Sequence, residues 1–311
     1  MDKGVAALAK DVLDAAKQDA KNKIAKDAAA AKEAIASNPN LSDEAKEAAK
    51  KAVDTDAQAA TDAIDKALKP DAVQAEEDKG VAAITKDVLD AAKQDAKNKI
   101  AKEVDAAKEA IDANPNLSDA EKEASKKAVD ADAKAATDAI DASTSPVEAQ
   151  SAEDKGVGSI AQDVLDAAKQ DAKNKIAKES DAAKSAIDAN PNLTDAEKES
   201  AKKAVDADAK VATDAIAKAS TPDAVQAEED KGVGAIAKDV LDAAKQDAKN
   251  KIAKEAESAK SVIDSNPNLT DAEKEASKKA VDADAKAATD AIDASTSPVE
   301  AQSAEDKGVG S

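Results

Sequence analysis

Carboxylate side chains are the groups in this sequence that could do chemistry. The chain of 311 residues contains 66 Asp and Glu residues but no His and no Cys, so it lacks the usual general base, thiol nucleophile and soft metal ligands. Oxygen ligands of this kind would suit a hard cation such as Ca²⁺. The densest carboxylate cluster is echoed in the next repeat and consists of Asp54, Asp56, Asp62 and Asp65, then Asp130, Asp132, Asp138 and Asp141.

The elements that would position these aspartates argue against a metal site. A Ca²⁺ loop arranges alternating oxygen ligands around a tight turn that contains Gly. Both aspartate clusters lie instead in Gly-free helical stretches, where residues i and i+2 point apart. We interpret them as a solvated helix face, and we expect no catalytic, cofactor-binding or metal-binding residue in the chain.

Two further motifs have simpler structural explanations. Gly156-Val157-Gly158 is not preceded by a strand or followed by the Lys-Ser/Thr of a phosphate-binding loop. Asn40-Leu41-Ser42 matches a glycosylation sequon, but a helix-capping turn accounts for the same residues.

Composition excludes nucleic acid as a partner. The net charge is -20, there are no aromatic residues, and all 46 basic residues are Lys, so neither base stacking nor bidentate phosphate recognition is available. No run of 18 apolar residues predicts a membrane span. No basic segment followed by an apolar one predicts a signal peptide.

Two short sequence motifs recur along the chain with a constant period, which equals the distance in sequence from Asp2 to Asp78. Asp-Lys-Gly-Val begins at Asp2, Asp78, Asp154, Asp230 and Asp306, and Asn-Pro-Asn-Leu begins at Asn38, Asn114, Asn190 and Asn266. The spacing predicts four repeats and the start of a fifth, at 1–77, 78–153, 154–229, 230–305 and 306–311. We interpret the chain as a fragment of a longer array and Met1 as an added start.

Helix signals fill each repeat. Apolar residues recur every three or four positions opposite Lys, Asp and Glu, which predicts amphipathic helices throughout. Asn38 is expected to adopt the left-handed conformation that ends a helix, and Pro39 to block its continuation. Ser42, Ser118, Thr194 and Thr270 are predicted N-caps, and Glu121, Glu197 and Glu273 complete capping boxes that Ala45 cannot form. Ser145-Pro146 and Thr221-Pro222 predict a cap followed by Pro at the first helical position.

These signals predict an all-α fold of tandem three-helix bundles. A long helix such as Asp71 to Ala113 would alternate with a short return helix, Asp119 to about Ala142. If neighbouring bundles share the long helices, as in a spectrin-like rod, each repeat advances by about 30 Å. Gly80, Gly156 and Gly232 lie inside the long helices and leave two alternatives open, a continuous helix or a hinge.

The recurring phrases resemble a known family. The turn Asn-Pro-Asn-Leu-Ser/Thr-Asp, the segment Val-Asp-Ala-Asp-Ala-Lys that follows it, and Asp-Lys-Gly-Val are similar to the domain-of-unknown-function 1542 repeats. The resemblance implies an extracellular protein anchored to a Gram-positive cell wall, in which these repeats form a stalk behind a distal adhesive region. Some relatives are associated with aggregation, biofilm or matrix binding. The resemblance supplies no site residues.

Three functions are compatible with this sequence. The first is a structural stalk, favoured by near-equal repeats without a distinct site. The second is a repeated helical module that binds a host plasma or matrix protein, although the Trp, Tyr and Arg that dominate binding hot spots are absent. The third is a desiccation-type protein, against which the capping turns and strict spacing argue. We expect no enzyme activity, no insertion into a membrane and a monomeric fragment, and association between neighbouring rods is left open.

Overall fold

The computed structural model describes residues 2–310, with side chains from residue 6 onward. Met1 and Ser311, the first and last residues of the predicted repeat array, lie outside this range. The described residues form nine α-helices and no strand, which confirms the all-α prediction. The helices are α1 (Asp2–Ala36), α2 (Asp43–Lys66), α3 (Pro70–Asp112), α4 (Asp119–Ala142), α5 (Pro146–Asp188), α6 (Asp195–Lys218), α7 (Pro222–Ser265), α8 (Asp271–Ala294) and α9 (Pro298–Val309).

Side-chain caps start the short helices. Thr194 and Thr270 form the predicted capping boxes, in which the threonine accepts from the Glu197 or Glu273 amide and the glutamate accepts from the threonine amide. Ser42 accepts a hydrogen bond from the Ala45 amide. The second hydrogen bond of a capping box is absent here, because Ala45 has no carboxylate that could accept from the Ser42 amide. The starts of α2, α6 and α8 are thus set by side chains that satisfy otherwise unpaired amide groups.

Proline starts the long helices. Thr221 accepts from the Ala224 amide and is followed by Pro222 at the first helical position, as predicted. Ser145 accepts from the Glu148 amide at 3.2 Å in the same way. The Glu148 carboxylate in turn accepts from the amide and hydroxyl of Thr144, at 2.7 and 2.8 Å. These hydrogen bonds hold the pKa of Glu148 below its usual range.

The predicted left-handed helix end at Asn38 is wrong. No residue in the described part of the chain, Gly included, has a positive φ. Asn266, which caps α7 before Pro267, has φ -75° and ψ 113°. This is the extended conformation that a following proline imposes. A lysine takes over part of the capping, since Lys122 on α4 donates to the Asp112 carbonyl oxygen at the end of α3, at 2.8 Å.

The helices form two compact units, residues 1–113 with 119–164 and residues 114–118 with 165–311. In the first unit, α1, α2 and α3 pack against one another, and α3 also packs against α4. In the second unit, α7, α8 and α9 pack against one another, and α7 also packs against α6. In each unit a long helix therefore belongs to one three-helix bundle and also contacts a short helix of another repeat, which confirms the prediction that neighbouring repeats share long helices.

Isoleucine and valine form the core of each unit. In the first unit Ile35, Val53 and Ile64 have no exposed surface, and Ile24 is 1% exposed. Each such side chain stabilises the fold by about 1.5–3 kcal/mol relative to an exposed one. Alanines surround them, and their small side chains allow the helices to approach closely.

The long helices run without a break through Gly80, Gly156 and Gly232, as the continuous alternative predicts. A Cβ atom placed on Gly80 would lie 2.4 Å from the Ala60 Cβ and 2.8 Å from the Ile24 Cδ1. Gly80 is therefore required by close helix packing and not by flexibility.

Candidate functional site at the inter-repeat turn

The Asn-Pro-Asn-Leu turn between a long and a short helix docks onto the long helix of the next repeat. Asp95 on α3 accepts from the Asn40 amide at 2.5 Å through one carboxylate oxygen, and from the Asn40 side-chain amide at 3.1 Å through the other. The Asp95 residue is 5% exposed. We call this arrangement the turn lock: the asparagine before the leucine, held by an aspartate that lies 55 residues later.

Two other side chains of α3 complete this turn lock. Asn98 donates from its side-chain amide to the Asn40 carbonyl oxygen at 3.0 Å, and Lys102 donates to the Asn40 Oδ1 at 3.3 Å. The amide and carbonyl groups of the Asn40 backbone and both polar atoms of its side chain are thereby paired. Such a fully paired site fixes one register between the turn and the helix.

The turn lock recurs in the next two repeats. Asp171 accepts from the Asn116 amide at 2.6 Å, and Asp247 accepts from the Asn192 amide at 2.6 Å. The same aspartates also accept from the amides of Leu117 and Leu193, each at 3.1 Å. The leucine that follows the asparagine is 6 or 7% exposed in each of these three turns, so polar and apolar contacts act together: Leu41, Leu117 and Leu193.

The fourth turn has no lock among the described residues. Its Asn268 is exposed, and the Asn268 amide bonds within the turn to the Asn266 Oδ1 at 3.0 Å. This sequence has no position 55 residues after Asn268. The fourth turn is thus an internal control for the effect of docking.

The hydrogen bonds of the turn lock occupy both carboxylate oxygens of its aspartate. Both oxygens of Asp95 accept hydrogen bonds from amide groups, which leaves the carboxylate poorly placed to act as a general base. Charge-assisted bonds to backbone amides are among the stronger protein hydrogen bonds. The lock therefore ties one repeat to the next at three of the four turns.

A second polar contact ties α7 to α9. Glu305 on α9 is 2% exposed, and its carboxylate pairs with Lys251 of α7 at 2.9 Å. The hydrogen bond from Lys251 to Glu305 raises the pKa of the lysine. In the preceding repeat, Glu229 lies 3.7 Å from Lys175.

The aspartates of the two carboxylate clusters are dispersed along the helix surface. Asp54 pairs with Lys32 at 2.6 Å, Asp65 pairs with Lys21, and Asp62 accepts from Gln58 at 2.8 Å. In the second cluster the pairs are Asp130 with Lys108, Asp138 with Lys134 and Asp141 with Lys97. Across residues 2–310 no group of three or more acidic side chains is placed to hold a metal ion.

Some carboxylates are buried without full pairing. One oxygen each of Asp87, Glu153 and Asp239 is buried and has no hydrogen-bond partner. Burial, and then the nearby charge of Asp208, raises the pKa of Asp239. Burial likewise raises the pKa of Glu153, against a hydrogen bond from Gln150 that lowers it. A buried oxygen without a partner is unfavourable, so we assign these groups a cost in stability.

The Gly-Val-Gly motif and the sequon are both involved in helix or turn structure. Gly156 and Gly158 lie inside α5 and not on a loop. In the sequon, a glycan would be attached to the Asn40 side-chain amide, and this amide donates a hydrogen bond to Asp95. No helix within the described residues combines the length and the apolar character needed to cross a membrane.

A known family matches the repeat period of the chain. The profile of the family described as Domain of Unknown Function (DUF1542) matches four consecutive segments, residues 16–91, 92–167, 168–243 and 244–311. The chain belongs to the DUF1542 family. The matched segments begin at intervals equal to the spacing of the recurring phrases, but at a different point within each repeat.

The chain is also similar to proteins of Staphylococcus aureus. It is 32% identical over 106 residues to the extracellular matrix-binding protein EbhA of strain Newman, and equally identical over 106 residues to the extracellular matrix-binding protein ebh of strain NCTC 8325 / PS 47. The matched region is 33% of this chain but only 3% and 1% of those two proteins. No solved structure matches the chain.

Proposed function

We propose that these DUF1542 repeats are a structural stalk that projects a distal binding region of a bacterial surface adhesin away from the cell wall. The observation that carries this proposal is the turn lock, which ties a turn of one repeat to the long helix of the next in three successive repeats. A continuous long helix shared by neighbouring repeats supports it as well. Both features transmit force along an array of repeats and offer no reaction chemistry.

The location follows from the same proposal. The similar proteins are named for binding the extracellular matrix, which supports an extracellular position and a non-enzymatic role for this chain. Anchoring to the cell wall is part of the proposal. We place the repeat boundaries at 1–77, 78–153, 154–229, 230–305 and 306–311, where the Asp-Lys-Gly-Val phrase begins.

An adhesion assay with a length-matched replacement tests the stalk. The repeats are exchanged in the full adhesin for an unrelated helical rod of equal length, and the attachment of cells to matrix is measured. The stalk proposal predicts unchanged attachment, because length is the property that matters. Loss of attachment with the matched rod, together with normal surface display, would contradict it.

A repeated matrix-binding module is the second candidate. The names of the similar proteins favour it, and so do exposed apolar side chains such as Val147, Val211 and Val262, which are 78, 67 and 67% exposed. These valines do not recur at equivalent positions of every repeat, which weakens a repeated site. Retention of one matrix or plasma protein in a constant ratio to the number of repeats would establish the module.

A further inference from the structure

A buried glutamate recurs in all four repeats, on α3, α5, α7 and α9. It directly precedes the Asp-Lys-Gly-Val motif, and it is between 2 and 7% exposed at each position. We call these residues the junction glutamates: Glu77, Glu153, Glu229 and Glu305. Glutamate is almost never buried to this extent unless its charge is paired, so the four positions need an explanation.

A lysine on the preceding long helix lies close to each junction glutamate. Lys251 pairs with Glu305 at 2.9 Å, and Lys175 lies 3.7 Å from Glu229. In the first two repeats the charge of the glutamate raises the pKa of the equivalent lysine, after the larger effect of a hydrogen bond on the lysine's own helix. We call these residues the junction lysines: Lys23, Lys99, Lys175 and Lys251.

Each junction lysine has a second acidic partner four residues later on its own helix. Lys99 donates to Glu103 at 2.5 Å, whereas Lys251 has the same choice in Glu255 and pairs with Glu305 across the junction. Residues of the same types at the same positions therefore adopt two arrangements within one chain. An element with two arrangements can respond to a change in conditions.

The surroundings of Glu153 favour its neutral form while Lys99 is bound to the other partner. One carboxylate oxygen of Glu153 is buried without a hydrogen-bond partner. The charged groups that act on it are Asp95 and Lys99 of α3 and Asp154 of its own helix, and the buried residues of α4 are valine, alanine and isoleucine. Burial raises the pKa of Glu153, and the negative charges of Asp95 and Asp154 add to this effect.

We propose that each junction glutamate and its junction lysine form an acid-responsive joint, in which the lysine moves to the acidic residue on its own helix as the glutamate takes up a proton. At neutral pH the arrangement is that of Lys251 and Glu305, in which the two charges compensate each other. In mild acid it is that of Lys99 and Glu153, because a neutral carboxyl group can stay buried without the lysine. The joint thus holds consecutive long helices together on both sides of the transition. The proposal does not depend on the stalk function.

Urea unfolding of the full chain at about pH 7.5 and at about pH 5 tests the joint. Lys99→Met should lower the transition midpoint at the higher pH, because the charge of Glu153 is then buried without compensation. This deficit should shrink at least about twofold at the lower pH, since the stability that a proton on Glu153 contributes is lost only as the pH rises through its raised pKa.

Lys134→Met is the matched control for the loss of one positive charge. Lys134 pairs with Asp138 on the surface of α4, where the two side chains are 75 and 63% exposed. Its deficit should be small and should change little between the two pH values. Deficits that shrink in the same proportion in both variants would overturn the proposal.

A titration followed by carboxyl-carbon NMR tests the exchange of partners. The Glu153 resonance is the one that disappears in Glu153→Gln, and it should titrate at a higher pH than the resonances of exposed glutamates. Glu103→Gln should lower its titration midpoint, because Lys99 then has Glu153 as its remaining acidic partner. Glu109→Gln, at an exposed position of the same helix, should leave the midpoint unchanged. A Glu153 midpoint equal to that of exposed glutamates, or one that Glu103→Gln does not lower, would contradict the proposal.

Discussion

Substitution of Gly232 by Ala probes the close packing of the helices. Gly and Ala differ by one methyl group, and in a helix interior Ala is favoured by about 1 kcal/mol. At Gly232 the added Cβ would lie 2.4 Å from the Ala212 Cβ and 2.8 Å from the Ile176 Cδ1. Carbon atoms pack best about 3.5–4.0 Å apart, so the helices must separate by about 1 Å.

Gly234 is the matched control, because a Cβ there meets nothing within 4 Å. Gly234→Ala should stabilise the chain by about 0.5–1 kcal/mol through helix propensity alone. Gly232→Ala has the same gain but adds an overpacking cost of about 1–3 kcal/mol. The two variants should thus differ by about 1–3 kcal/mol, with Gly232→Ala the less stable.

Equilibrium urea unfolding followed by helical circular dichroism measures this difference. Repeat arrays need not unfold in a single step, so transition midpoints are compared. The midpoint should rise for Gly234→Ala and fall for Gly232→Ala. An increase of equal size in both variants would refute the close approach of α7 to α6.

Three further changes test the polar contacts. Asp247→Ala removes the acceptor of the turn lock and should destabilise the chain by about 1–3 kcal/mol in urea unfolding, whereas Asn268→Ala in the undocked turn should change it little. Ala45→Glu supplies the missing capping-box residue and should raise thermal stability, worth about 0.5 kcal/mol. Asp239→Asn removes a carboxylate whose pKa is raised by burial and by Asp208. A raised pKa favours the protonated form of Asp239 in the folded state, so the ionised form lowers the stability of the fold. The variant should be more stable by about 1 kcal/mol at neutral pH. This advantage should fade as the pH falls through the raised pKa of Asp239.

Local signals in the sequence predict the helices and most of their starts. Proline at the first helical position and Ser or Thr at the caps act within a few residues, so Thr194 and Thr221 could be assigned from spacing alone. The predicted left-handed helix end at Asn38 is wrong because the restriction imposed by the following proline outweighs the tolerance of Asn for that conformation.

The contacts between repeats could not be predicted in the same way. Asp95 resembles any surface aspartate, and its partner Asn40 lies 55 residues away in sequence. One signal was present: Asp95 follows Ala91 by four residues and so falls on the buried face of α3. Gly80 posed a similar problem, since a glycine in a helix can mark a hinge or a close crossing, and only the position of Ala60 distinguishes them.

Small-angle X-ray scattering of this chain in dilute buffer tests the proposed stalk most directly. A compact fold of 311 residues should have a radius of gyration of roughly 20 Å, and an unfolded chain roughly 60 Å. Four repeats that each advance by about 30 Å should give about 35–40 Å, with a rod-like cross-section. A concentration series extrapolated to zero separates this value from any association between copies. A radius as small as that of the compact fold would mean that the repeats fold back on one another and would contradict the stalk.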